Sequence, residues 1–369
     1  MKITCDKQEL VAAVTNVQRA VSSKSSLPAL EGILLKASGD TVGLCGYDLE
    51  LGITTSISAT VEAEGDIVLS AKLFSDIVRR LPDSTVRIEV DEKFITNITC
   101  GVSEFAIVGI PASEYPELPS VSGASPLELT SALLKSMIRQ TLFAVADNDS
   151  KPVHTGTLFD LSEGVLRLVS VDGYRLAMRT ERVACTDDFS FVVPGKTLSE
   201  VMKLLPEDEE NIHISVGRRH IVFEIGRYSV ISRLLEGEFL NYKAAIPPAH
   251  NTEVTVQTRS FIDSVERVSL LITDRLKSPV RCIFADGEVK VSCATSIGKA
   301  NDVFTAPVQG ENVEIGFNNR YLLDALRNTD SDEVRVQLKG ALSPMKIVPR
   351  DGDSFLFLVL PVRLKSNEN

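Results

Sequence analysis

Three stretches of the chain share one alternation of hydrophobic and polar positions. They are Val68-Leu69-Ser70-Ala71-Lys72-Leu73-Phe74-Ser75-Asp76-Ile77-Val78, Val192-Val193-Pro194-Gly195-Lys196-Thr197-Leu198-Ser199-Glu200-Val201-Met202 and Ile315-Gly316-Phe317-Asn318-Asn319-Arg320-Tyr321-Leu322-Leu323-Asp324-Ala325. Each opens with apolar strand residues and then passes to apolar positions three and four apart, the spacing of an amphipathic helix. A strict alternation follows in each case: Val86-Arg87-Ile88-Glu89-Val90, Ile212-His213-Ile214-Ser215-Val216 and Val334-Arg335-Val336-Gln337-Leu338. Such period-two runs predict half-buried antiparallel strands. An earlier helix in each unit is marked by Leu10, Ala13, Val14, Val17 and Val21, by Leu134, Met137, Ile138, Thr141 and Val145, and by Phe261, Val265, Val268 and Ile272. A proline then leads into a strand each time, at Pro28, Pro152 and Pro279. The pattern therefore predicts helices over 7–20, 71–81, 131–144, 196–205, 259–272 and 319–328.

The repeat interval is close to a third of the chain. A recurring unit of this kind is the sequence mark of repeated architecture. The fold predicted is α+β: three repeated domains, each with antiparallel sheets on one side and two helices on the other. Proline and small residues cluster from Pro111 to Pro126 and around Ile246-Pro247-Pro248-Ala249-His250, which places the domains at 1–122, 123–247 and 248–369.

Composition sets the compartment. The chain has 369 residues, 44% hydrophobic and 24% charged, enough for several cores. No apolar run approaches the roughly 18 residues of a membrane span. The start, Met1-Lys2-Ile3-Thr4-Cys5-Asp6, lacks the apolar stretch of a signal peptide, so a cytoplasmic protein with no membrane contact is expected. Cys5, Cys45, Cys100, Cys185, Cys282 and Cys293 form no C-x-x-C pair and read as small side chains in a reducing compartment, without zinc or disulfides.

The formal net charge of −11 argues on its own against a nucleic-acid partner. Its distribution argues the other way. The six helix windows carry a clear excess of lysine and arginine, and the remainder of the chain is correspondingly more acidic. Basic helix faces are often merely solvated. With a threefold repeat, however, the helices fall on one side of a continuous layer, and a basic wall facing a polyanion becomes the better account. No aromatic residues interleave with these cations as single-strand stacking requires, and no recognition helix offers base readout. The contact expected is with phosphates, salt-sensitive and independent of sequence.

Catalytic chemistry finds little support. Phosphate-binding glycine loops, nucleophile elbows and H-E-x-x-H are absent from the sequence. Asp48 and Asp172 occupy equivalent repeat positions, with Thr295 in the third unit, and aspartate capping of a turn explains them better than acid–base work. No nucleophile has a credible base, no metal or cofactor is implied, and a non-enzyme is expected. Two other classes stay open on the residues alone: an acidic metabolic enzyme with a dispersed site, and an adaptor of repeated domains.

Five segments in order then carry a family likeness: Met1-Lys2-Ile3, Gly46-Tyr47-Asp48-Leu49-Glu50, Tyr115-Pro116-Glu117-Leu118-Pro119, Asp172-Gly173-Tyr174-Arg175-Leu176-Ala177 and Leu360-Pro361-Val362-Arg363-Leu364. Together they resemble the bacterial DNA polymerase III beta subunit family, the sliding clamps, over essentially the whole chain. The resemblance implies a head-to-tail homodimer, a ring with sheets outside and helices inside, encircling duplex DNA without sequence preference. It also implies that the replicative polymerase subunit, the clamp loader and other proteins with clamp-binding motifs are partners.

By position, the resemblance assigns DNA contacts to Lys24, Lys72, Asn148, Lys151, Lys196 and Lys203. A partner-peptide groove falls on Val171, Gly173, Tyr174, Arg175, Leu176, Leu240, Asn318, Tyr321, Leu342, Pro344, Val359, Leu360, Pro361, Val362, Arg363 and Leu364. Phe105 and Ile107 on an edge strand, with Leu271 and Ile272 at the end of a third-domain helix, are the expected dimer seam. Position 174, often histidine in the family, is tyrosine here, and the tail has Leu360 and Val362 where methionine is common.

Overall fold

The computed structural model describes residues 1–121, 125–147, 151–185 and 187–364. Its helices are α1 (Lys7–Val17), α2 (Ala71–Arg80), α3 (Ser131–Leu142), α4 (Gly195–Leu204), a short α5 (Tyr242–Ala245), α6 (Thr258–Ser269) and α7 (Asn319–Arg327). Every helix expected from the apolar spacing is present, and each stops earlier than that spacing suggests. Local chemistry sets the ends. Asp6 caps α1 by accepting from the Glu9 N–H at 2.9 Å, and the helix tightens into a 3-10 turn over Gln18–Ala20. Asn318 caps α7 by accepting from the N–H groups of Arg320 and Tyr321.

The end of α6 corrects one expectation. Leu271 and Ile272 lie beyond the helix, because Leu270 already closes it with a bond from its N–H to the Arg267 carbonyl. Ile272 turns back to pack on the core, whereas Leu270 is left 81% exposed.

The chain forms two compact units, one from Met1–Ala132 with Lys196–Leu234, the other from Leu133–Gly195 with the chain from Leu235 onward. In the first, a 12-stranded sheet runs in the order Ser103–Val108, Ile95–Cys100, Thr85–Val90, Lys2–Asp6, Leu51–Ala63, Tyr228–Arg233, His220–Ile225, Asn211–Val216 and Ser125–Thr130, with Thr41–Tyr47, Gly32–Ser38 and Gly65–Ser70 branching from it. The 13-residue strand Leu51–Ala63 makes this possible: its Ala59–Ala63 end pairs with Lys2–Cys5, and its Leu51–Thr55 end pairs with Tyr228–Ser232. The second unit follows the same plan. Strand Arg175–Arg182 pairs antiparallel with Phe355–Val359, Arg175 opposite Val359, within a nine-stranded sheet. A separate four-stranded sheet there runs Gly298–Thr305, Glu288–Thr295, Val280–Ala285, Val313–Phe317.

The alternating strands bury the face their pattern predicts: Val86 and Ile88, Ile212 and Ile214, and Val334, Val336 and Leu338 are all buried. Large side chains fill the cores, among them Phe74 and Phe223 in the first unit and Phe261, Phe284, Phe317 and Phe357 in the second. Each such burial is worth about 1.5–3 kcal/mol against exposure. Cys5, Cys45, Cys100, Cys282 and Cys293 are buried and unpaired, and burial pushes the thiols of Cys5, Cys45 and Cys282 up to about 12, which keeps them as inert apolar side chains.

The repeated aspartates are turn formers. Asp48 Oδ1 accepts from the N–H groups of Glu50 and Leu51 at 3.0 and 2.7 Å. Asp172 Oδ1 does the same for Tyr174 and Arg175 at 2.9 and 3.0 Å, and Thr295 Oγ1 accepts from Ile297 in the third repeat.

Candidate functional site

The residues expected to form a peptide groove all lie in the second unit. The turn at Asp172 is tight because Gly173 adopts φ +89°, a left-handed conformation in which an L side chain is strained. It lifts Tyr174 out, 60% exposed, and sends Arg175 inward. The guanidinium of Arg175 donates to Asp172 Oδ2 at 2.9 Å and Asp324 Oδ2 at 2.5 Å, and lies 4.6 Å from the ring centre of Tyr321. Tyr321 in turn stacks on Tyr174, with centroids 5.6 Å apart and planes 20° apart. Burial, with the Asp172 carboxylate close by, raises the Tyr321 phenol above its ordinary range, so it remains a neutral hydroxyl.

The tail completes this ledge. After strand Phe355–Val359 the chain leaves the sheet: the Leu360 N–H donates to the Tyr174 carbonyl at 2.9 Å, Pro361 has no N–H to donate, and the Val362 N–H donates to the Gly316 carbonyl at 2.8 Å. Gly316 is required for that approach. A Cβ there would come within 2.6 Å of the Leu364 side chain and 2.7 Å of the Val362 carbonyl oxygen. Tyr174, Leu360 and Val362 are thereby held exposed on one supported segment, with Arg363 also exposed. Leu342 is exposed, and Pro344 half-buried. Leu240 is exposed at a hollow of about 510 Å³ that it shares with Lys151, Val153, His154 and Phe239.

Four of the expected groove residues do not offer surface. Val171, Leu176 (3% exposed) and Val359 (0%) point into hydrophobic clusters: the register turns Leu176 and Val359 to opposite faces of the sheet, and both faces are covered. Arg175 is buried, with Nε held by Asp172, Nη1 by Asp324 and its guanidinium against the Tyr321 ring. Asn318 spends its side-chain oxygen capping α7, which leaves its amide nitrogen as the group able to donate.

The expected DNA contacts are exposed where they are described: Lys24, Lys72, Lys196 and Lys203 in the first unit and Lys151 in the second. Asn148 lies outside the described residues. Lys196 Nζ donates to Asp48 Oδ2 at 2.6 Å and Lys203 Nζ to Glu200 Oε1 at 2.7 Å. Among the described residues Lys24, Lys72 and Lys151 have no ion pair. The basic excess counted along the helices is reduced in space by acids from elsewhere: Arg139 pairs with Asp330, Arg267 with Asp302 and Arg320 with Asp274.

Of the residues expected at the seam, Phe105, Ile107 and Leu271 lie at or beside two sheet edges. Strand Ser103–Val108 ends the 12-stranded sheet, with Phe105 exposed, Ile107 half-buried and Val108 78% exposed. Strand Gly298–Thr305 ends the four-stranded sheet, where Val303 and the neighbouring Ile297 are exposed and Leu271 reaches Gly298. Unpaired edges bearing apolar side chains are association surfaces. Leu270 and Val108 are absent from the sequence-derived set. A signal for Leu270 exists: Phe261, Val265, Val268 and Ile272 mark the buried side of α6, and residue 270 falls off it.

Comparison with known proteins agrees along the whole chain. Models of the N-terminal, central and C-terminal domains of the DNA polymerase III beta subunit match residues 1–119, 128–241 and 243–363. The beta sliding clamp of Bacillus subtilis is 35% identical over 376 residues, covering 98% of this chain and 100% of that protein. That of Halalkalibacterium halodurans is 37% identical over 378 residues, with the same coverage of each. The crystal structure of the Bacillus subtilis sliding clamp superimposes with a TM-score of 0.96 at 34% identity, covering 99% of this chain and 100% of that one. The beta subunit of Streptococcus pyogenes gives 0.94 at 27%, again over 99% and 100%. The chain belongs to the DNA polymerase III beta subunit family, the bacterial sliding clamps.

Proposed function

We propose that two copies, each with domains over 1–122, 123–247 and 248–369, join head to tail into a ring that holds duplex DNA through phosphates alone. The ring tethers the replicative polymerase, is opened by a clamp loader and hydrolyses nothing itself. It works in the cytoplasm. Among the described residues no helix is long and apolar enough to cross a membrane. The seam joins the edge strand of Phe105, Ile107 and Val108 in one copy to Leu270, Leu271 and the edge strand Gly298–Thr305 in the other.

The observation that carries the reading is the ledge of Tyr174, Leu360 and Val362, apolar, exposed and fixed by the tail, in a chain that matches the clamp family along its length. Such a ledge suits a short extended peptide with leucine or phenylalanine anchors. A clamp from Pseudomonas aeruginosa, 27% identical with a TM-score of 0.94, has been solved bound to griselimycin. Changing Leu360→Ala should weaken a polymerase-derived peptide by about 1–2 kcal/mol, as for an interface anchor. Titration calorimetry measures this, and an unchanged affinity would remove Leu360 from the groove.

DNA encirclement is tested by retention on nicked circular but not linear DNA. Reversing Lys24 and Lys72 to glutamate should shorten retention more than reversing Lys196 and Lys203, whose charges Asp48 and Glu200 already counter. The salt dependence should also flatten, by about one unit of log–log slope for each phosphate that is no longer neutralised. Equal effects from both pairs, or an unaltered slope, would show that these lysines do not meet the phosphates.

A further inference from the structure

A cavity of about 820 Å³ lies on the four-stranded sheet of the second unit, on the face opposite the core side chains Val280, Cys282 and Val291. Arg281, Ser292 and Asn301, neighbours across three strands, form part of its floor. One wall is the segment Arg275–Pro279 and the other is the tail Val362–Leu364. Among the described residues five cations line it (Arg275, Lys277, Arg281, Lys299 and Arg363), and no aspartate or glutamate does. Arg281 is paired to Glu314 at 2.7 Å. Among the described residues the other four have no ion pair, in a chain whose net charge is −11 and in which Arg139, Arg267 and Arg320 each find a carboxylate. Like charges gathered around one hollow raise each other's energy, and an anion entering it relieves that repulsion.

We propose that this hollow binds the carboxylates of an acidic stretch flanking the apolar anchors of a clamp-binding peptide. The proposal rests on the reading of the ledge as a peptide groove and names the chemistry of its partner. Continuity favours a peptide over a nucleic acid. Val362 and Arg363 belong to the ledge and to the wall of the hollow at once, so a chain anchored beside Leu360 can run along them to the cations. Leu276, Val362 and Leu364 also give the hollow apolar sides that suit a polypeptide.

The test uses labelled peptides that share one leucine- and phenylalanine-bearing anchor and carry three glutamates, three glutamines or three lysines on the N-terminal or the C-terminal side. With the full-length protein at low salt, the glutamate flank on one side should bind about tenfold more tightly than glutamine, the sum of a few exposed ion pairs. The lysine flank should bind more weakly, and high salt should erase both differences. The double variant Arg275→Gln with Lys277→Gln should lose the glutamate advantage while binding the glutamine-flanked peptide as the unaltered protein does. Its dimer mass and thermal melt report that it is folded. If the glutamine-flanked peptide binds but glutamate gains nothing on either side, or if the gain survives in the double variant, the inference is overturned and the groove stands. If no peptide binds at all, the groove reading falls and takes the inference with it. If a short single-stranded oligonucleotide binds the unaltered protein but not the variant, and glutamate gains nothing, the hollow is a nucleic-acid site and the proposal is wrong.

Discussion

Aspartate at both Leu270 and Leu271 is expected to yield a folded monomer. Leu270 is the most exposed apolar side chain around the end of α6, and Leu271 reaches the first residue of the edge strand Gly298–Thr305. If they meet the Phe105 strand of a second copy, each is a buried anchor there, worth about 2 kcal/mol or more. Losing both raises the dissociation constant about a thousandfold, since each 1.4 kcal/mol or so is a factor of ten. Sedimentation at micromolar protein reads the mass, and a thermal melt reads the fold. Ile272 supplies the contrast. It packs on its own core, so Ile272→Asp should lower the melting temperature without being needed for dissociation. A dimer that survives the double substitution would place the seam elsewhere, and an unfolded protein would make both leucines core residues.

Truncation after Val359 is expected to abolish binding of polymerase and clamp-loader peptides, a loss of about a hundredfold or more if two anchors go at once. The cut leaves strand Phe355–Val359 and its pairing with Arg175–Arg179 intact. It removes the bonds from Leu360 to Tyr174 and from Val362 to Gly316, and with them the ledge. The Tyr174 ring then relies on its stack against Tyr321, an arrangement worth about 0.5–1.5 kcal/mol. Dimer mass and retention on circular DNA should be unchanged, because neither uses this segment. Undiminished peptide affinity in the truncated protein would sink the groove assignment. Loss of the dimer as well would mean that the tail supports the fold and not a partner.

The double substitution and the truncation test surfaces whose members residue patterns alone did not sort. Leu176 and Val359 read as groove surface because one sits in, and the other directly beside, a segment that carries the family likeness, yet both are covered. Arg175 reads as a peptide contact, yet its guanidinium is held by Asp172 and Asp324, residues far apart in sequence. The cationic hollow was invisible for the same reason: Arg275, Arg281, Lys299 and Arg363 come from four separate segments.

What the amino-acid order determined by itself was local and periodic. Apolar residues three and four apart made the longer helices wherever the spacing recurred, alternation made the paired strands, and Asp48 and Asp172 made equivalent turns because a carboxylate two residues before free N–H groups caps them in any context. Pro361 likewise marks a chain leaving its sheet, because proline has no N–H for the ladder. Tertiary structure alone decided which face of each strand was covered, which lysines were already neutralised, and which of three consecutive apolar residues, Leu270, Leu271 or Ile272, met water. A period of two says that faces alternate but not what lies against them. Charge neutralisation and exposure both depend on groups brought within a few ångströms by the packing of distant segments, such as Asp330 beside Arg139 or the tail beside Gly316.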